Sequence, residues 1–163
     1  MASVADWPAR AAPRSSAVAA ASRLGRAWAR VRRPADSLLC LRVVAWLLAA
    51  DVLLRLLPPG AAHRLLAGRR RRTEAPWPEI ERVRAMVDAW IGVWPFRLRG
   101  RCLRRSLVLC RLLRAQGLDV AVELGVRRAG GRLAGHSWLT WRGRPLFEQL
   151  DPCRDFARMG NWS

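Results

Sequence analysis

The sequence predicts an α+β protein in which a cysteine-bearing helix packs on a small antiparallel sheet, preceded by an N-terminal helical region. Two patterns carry that prediction. Apolar residues recur at helical spacing as far as Leu113, and Gly117 closes the last helix. Beyond Gly117 the period shortens to alternation over residues 120–126 and 133–141, with glycine-containing turns after each. A length of 163 residues suits one domain with one core.

Composition narrows the partners without choosing one. The hydrophobic fraction of 52% argues for a folded chain, and all 30 basic residues are arginine, giving a net charge of +18. Such a field favours a nucleic acid, an anionic membrane face or an acidic peptide. Four cysteines, at 40, 102, 110 and 153, have neither paired spacing nor a secretory leader, which points to free thiols in a reducing, cytoplasmic compartment. With no Cys-x-x-Cys, and with His63 and His136 far apart, no metal site is expected.

Taken in order, residues 1–35 read as a loosely ordered basic segment, in which only Leu24, Trp28 and Val31 share a helical face. Residues 36–90 read as a helical region. Asp36 or Ser37 caps a helix over residues 38–57, which Pro58, Pro59 and Gly60 end. That helix is apolar nearly all round. A membrane span needs roughly 20 apolar residues with few charges, and Arg42, Asp51 and Arg55 interrupt this one, so it is read as a buried or interface helix. Peripheral contact with an anionic membrane is the alternative. A short helix over residues 61–67 carries His63, taken as an ordinary helix residue, and the arginine run 69–72 belongs in a solvated loop. Pro78 suits the first turn of the next helix, whose core face is Ile80, Val83, Val87 and Trp90. Gly92 and Pro95 stop it, and a connector bearing Trp94 and Phe96 leads into the remaining segment, residues 91–163.

The chemistry sits there. Cys102 falls in the first turn of a helix with Leu103, Leu107, Cys110 and Leu113 on its apolar face. Unpaired amides and the positive end of the helix dipole stabilise a thiolate at that point, and Arg101, Arg104 and Arg105 push the same way. Cys110 and Cys40 lack that help and are read as core, and Cys153 has no activating feature. Strands over residues 120–126, 133–141 and 146–150, with residues 127–132 as a hairpin connection and Arg142-Gly143 as a tight turn, would bring His136 to the helix start. The tail 152–163 has no clear period. A cysteine early and a histidine distant in sequence is the order of a thiol hydrolase, and a carboxylate must orient the imidazole. A two-residue turn at 142–143 sets His136 opposite Gln149 and puts Asp151 diagonally beside it; one more residue of loop, or a bulge, selects Glu148.

At these residues the chain resembles the lasso peptide leader peptidases, the transglutaminase-like half of the split B protein. The matching pieces are Arg101-Cys102-Leu103-Arg104-Arg105-Ser106-Leu107, the Leu-Leu-Arg-Ala-Gln-Gly helix end, Gly125-Val126, and His136-Ser137-Trp138, with Ser137 where the family usually has Ala. The resemblance is specific from about Trp90 to Asp151. It implies a papain/transglutaminase-like catalytic core and a Cys-His-Asp triad that cuts the leader from a ribosomally made precursor before macrolactam cyclisation. The family's acid lies about a dozen residues beyond the histidine, at Glu148 here, which departs from the usual Asp and from the simple hairpin register. It also implies the precursor peptide, a separate leader-recognition protein and an ATP-dependent lasso cyclase as partners. No nucleic acid, cofactor or metal is expected.

The leading expectation is a cysteine peptidase with Cys102 as nucleophile, His136 as general base and acid, and Glu148 or Asp151 orienting the ring. The same fold also hosts acyl transfer and transglutamination. A different class, an arginine-rich binding or membrane-peripheral protein without catalysis, is the alternative that the charge and the helix over residues 38–57 motivate.

Overall fold

Helix α1, Pro34–Leu56, opens on a proline, whose fixed φ and missing N–H suit a first helical turn. The computed structural model describes Gly25 and residues 34–93, 100–148 and 151–162. Leu24, Trp28, Val31, Trp94, Phe96 and Gln149 lie outside them, and with them the expectations placed on the basic segment and the aromatic connector. One face of α1 buries Cys40, Val43, Leu47 and Ala50. Its two acids also point inward. Asp36 does not cap the helix as expected but accepts from Arg82 Nε at 2.6 Å, and Asp51 pairs with the buried guanidinium of Arg104. The opposite face leaves Leu38, Leu41, Leu48, Val52 and Leu56 exposed, Leu56 at 73%. The helix read as a buried or interface helix is buried on one side, with an apolar face left outward, and it is long and apolar enough to cross a membrane by length and composition.

Helix α2, Pro59–Leu66, is short, and it buries His63 among core residues. Helix α3, Trp77–Val93, turns Ile80, Val83, Met86, Val87 and Ile91 inward, a wider face than predicted, with Trp90 half-buried at its edge. Helix α4, Arg101–Ala115, packs against α1, α3 and the sheet. Gly117 ends it at φ +94, where a side chain would strike the backbone of Thr73 and Glu74.

The sheet has four antiparallel strands in the order β3-β2-β1-β4. Strand β1, Val120–Ala129, and β2, Arg132–Trp141, are longer than the alternation indicates. Gly130 and Gly131 both take positive φ, so two residues close the hairpin and residues 127–129 pair rather than loop. The 142–143 turn has the predicted register, Trp141 opposite Arg144. Strand β3, however, is only Arg144–Leu146, because Phe147 adopts φ 64 and leaves the ladder. The predicted strand over 146–150 is thus cut short. Past a 3-10 turn, Pro152–Arg154, strand β4, Ala157–Trp162, adds an edge to β1 that the aperiodic tail did not announce.

A single buried cluster runs from Val43 and Leu47 through Val83 and Val87 and along Leu109 and Leu113 to Val122 and Leu139 of the sheet. It seats α4 on the sheet and fixes where the start of that helix meets β2. The Asp51–Arg104 pair locks α1 to α4 from inside. Removing Asp51 takes a carboxylate away from a buried guanidinium. Asp51→Ala is therefore expected to cost about 3–5 kcal/mol in urea unfolding, and replacing both partners by apolar residues to recover most of it.

Candidate active site

Cys102 is the second residue of α4, and the residue capping that helix, Gly100, offers no side-chain acceptor to the first-turn amides. The thiol is partly buried, which by itself would raise its pKa. The His136 ring, the Ser137 hydroxyl and the Ser137 backbone favour the thiolate, outweigh that effect and bring the pKa down to about 7. The neighbouring arginines, expected to help, are engaged elsewhere. Arg101 donates to the Ile91 carbonyl at 2.6 Å, Arg104 is paired with Asp51, and Arg105 meets two other carboxylates.

His136 stands on β2 opposite Gly125 of β1. Its ring stacks on Trp138 at 5.9 Å and tilts against Phe156 at 5.2 Å. Gly125 makes this enclosure fit: a Cβ there would lie 2.8 Å from Phe156 Cβ and 2.9 Å from Trp138 Cη2. Cys102 first and then Glu148 stabilise the charged ring and raise the His136 pKa to about 9.

Glu148 presents Oε2 to His136 Nε2 at 3.6 Å. Asp151 lines the same cleft, of about 470 Å³, yet its Oδ1 accepts from the Cys153 amide at 3.0 Å and caps the 3-10 turn. The register that favoured Asp151 holds through Leu146 and is lost at Phe147, whose left-handed backbone costs on the order of 1–3 kcal/mol and re-aims the next side chain. The structure thus brings Cys102, His136 and Glu148 together and turns Asp151 to another task.

Sequence reasoning missed the groups that hold Glu148. Arg105 Nη1 donates to Glu148 Oε1 at 3.3 Å, while its Nε donates to Asp88 Oδ1 on α3 at 2.6 Å. Arg105 is three residues beyond Cys102, so both lie on one face of α4, and that spacing was the available signal. Asp88 had none, since its partner comes from another helix.

A second cysteine–histidine contact sharpens the first. Cys110 Sγ lies 4.0 Å from His63 Nε2, deep in the core, so His63 is not the ordinary helix residue it resembled. Burial, more than any neighbour, pushes Cys110 up to about 11, and burial followed by the Arg114 charge pushes His63 down. This pair is held neutral. Cys40 is likewise raised by burial. Cys153, read as featureless, receives two donors from Arg158, at 3.1 and 3.4 Å. All four cysteines are free thiols.

The family model described as the transglutaminase-like superfamily matches residues 44–161, and the chain belongs to that superfamily. No curated protein and no solved structure shows significant similarity to it.

The two shifts define a pH window. The lowered thiol ionises as pH rises through about 7, and the raised imidazole keeps its proton up to about 9. Between these values thiolate and imidazolium coexist as one coupled pair. Iodoacetamide labelling of Cys102, followed by mass spectrometry in a Cys153→Ser background, should rise with a midpoint near 7. His136→Ala should move that midpoint up into or beyond the ordinary thiol range, because burial then acts with less opposition; an unmoved midpoint would contradict the pairing.

Proposed function

We propose that this member of the transglutaminase-like superfamily is a cysteine peptidase that removes the leader from a ribosomally made lasso peptide precursor. The observation that carries the peptidase reading is the thiol of Cys102 at an uncapped helix start, its pKa brought down by the His136 ring, which in turn faces Glu148. The narrower choice of substrate rests on the likeness of the 101–107 and 136–138 segments to the leader peptidases.

In this reading the Cys102 thiolate attacks the carbonyl carbon of the scissile peptide bond. A C–S bond forms and the carbonyl oxygen takes the electron pair, with the Cys102 backbone N–H as its donor in the open first turn. As the intermediate collapses, the C–N bond breaks and the departing nitrogen takes the proton of the His136 imidazolium. Water then attacks the thioester and gives a proton to His136. The C–S bond breaks, the acid is released, and the thiolate–imidazolium pair is restored. Glu148 steadies the ring and its charged form throughout, and Arg105 with Asp88 holds the carboxylate.

Membership of the superfamily supports a neighbouring reaction, capture of the same thioester by an amine in place of water. Transfer of the acyl group to an added amine, in preference to hydrolysis, would select it. The exposed stripe of α1 supports a separate property, peripheral contact with an anionic membrane. The acids of that helix are turned inward, so the outward face is apolar with Arg42 and Arg55 exposed beside it.

With precursor, leader-recognition protein and cyclase present, Cys102→Ala should abolish leader removal, and Glu148→Gln should lower kcat by about 10²-fold or more. Undiminished cleavage by Cys102→Ala, read by mass spectrometry, would refute the peptidase reading. The protein should float with vesicles rich in phosphatidylglycerol but not with neutral ones, and Leu41→Glu/Val52→Glu should release it. Equal flotation of wild type and variant would exclude the α1 contact.

A further inference from the structure

Beside the cleft that holds His136 and Glu148 lies a second hollow, of about 500 Å³, which the chemistry above leaves unused. Trp77, at the start of α3, and Trp141, at the end of β2, form its aromatic walls with ring centroids 5.9 Å apart. Pro145 and Leu146 of β3 add apolar surface, and Arg142 and Arg144 supply charge at its rim. Trp77 is 45% exposed and so open to a ligand in this hollow.

Three observations connect this groove to a peptide substrate. First, it is joined to the cleft: Trp77 also packs on Phe147 at 6.1 Å, and Phe147 lines the cleft with His136 and Glu148. Second, β3 is an edge strand among the described residues, bonded to β2 alone, and it runs from Arg144 in the groove to the residues just before Glu148. An extended peptide laid along that edge gains main-chain hydrogen bonds and is led from one hollow to the other. Third, the charges suit one sign of ligand. The Arg142 guanidinium lies 4.4 Å over the Trp141 ring and makes an exposed, long contact to Glu74 at 3.8 Å, and Arg144 is exposed.

We propose that the Trp77–Trp141 groove is a specificity subsite for an extended peptide. It takes an aromatic or large aliphatic side chain against the surface that the two touching indoles share with Pro145 and Leu146, and an acidic residue beside it against Arg142 and Arg144. The proposal rests on Cys102 being the nucleophile of a peptide-cleaving site. An extended peptide advances about 3.3 Å per residue, so a groove beside the cleft is reached a few residues from the scissile bond. The two arginines add length-independent attraction that salt weakens.

The test uses the full chain and peptidyl chloromethyl ketones in which one Trp is walked along an otherwise Gly-Ala sequence, with or without a neighbouring Asp. Alkylation of Cys102 gives an affinity and a maximal rate for each. A Trp at one position a few residues from the reactive ketone should tighten affinity by about tenfold or more with little change in the maximal rate. Trp77→Ala should erase that gain. The adjacent Asp should add about two- to fivefold at low salt, and Arg142→Asn/Arg144→Gln should remove it. Asn tolerates the left-handed backbone of position 142, φ 51, so this variant keeps the turn. An affinity indifferent to Trp position, or a gain that survives Trp77→Ala, overturns the subsite while iodoacetamide still labels Cys102. A Cys102 that neither iodoacetamide nor any ketone labels overturns the nucleophile itself, and the subsite with it.

Discussion

One guanidinium links the three parts of the site. Arg105 leaves α4 a single turn after Cys102 and reaches Asp88 on α3 and Glu148 beyond β3. Without it, Glu148 would sit on the segment that follows the left-handed Phe147, aimed at His136 by backbone alone. With it, one carboxylate oxygen is held by the arginine and the other faces the imidazole. Asp88 balances the charge of the clamp, so the arginine can grip the acid without leaving an unpaired cation beside an imidazolium. The helix that delivers the thiol therefore also fixes the acid that follows three strands later.

That arrangement explains why two cysteine–histidine contacts in one small protein have opposite chemistry. Cys102 and His136 each find a stabilising partner for their charged forms, Ser137 for the sulfur and Glu148 for the ring. For Cys110 burial outweighs the help that Arg114 gives its thiolate, and for His63 burial and the same arginine both disfavour a second cation, so the two remain neutral. Proximity of sulfur to imidazole is thus insufficient. The surrounding donors and the carboxylate decide whether the proton moves.

The parts of this site that were legible in the sequence are those set by local pattern. A glycine before a helical apolar period places Cys102 at a helix start, and strand alternation with a glycine turn places His136 on β2. The acid was not legible to that reasoning, because a positive φ at a bulky aromatic residue has no compositional sign. Resemblance to a family pattern indicated Glu148 where register indicated Asp151. The Arg105 clamp, the His63–Cys110 contact and strand β4 depend on pairing between elements distant in sequence. For α1 the same limit applies. Arg42, Asp51 and Arg55 read as equal interruptions of an apolar run, whereas the fold turns the acid inward onto Arg104 and leaves the two arginines outside.

The central claim is that Cys102 and His136 share an ion pair that exists before any substrate binds. Nitrogen-15 NMR of the His136 ring, at a pH between about 7 and about 9, reads its protonation directly. Both ring nitrogens should carry protons in the wild-type protein, and the ring should become neutral in Cys102→Ala, which removes the largest cause of its raised pKa. A wild-type His136 that is neutral across this window, or a ring whose state ignores the loss of Cys102, would contradict the account.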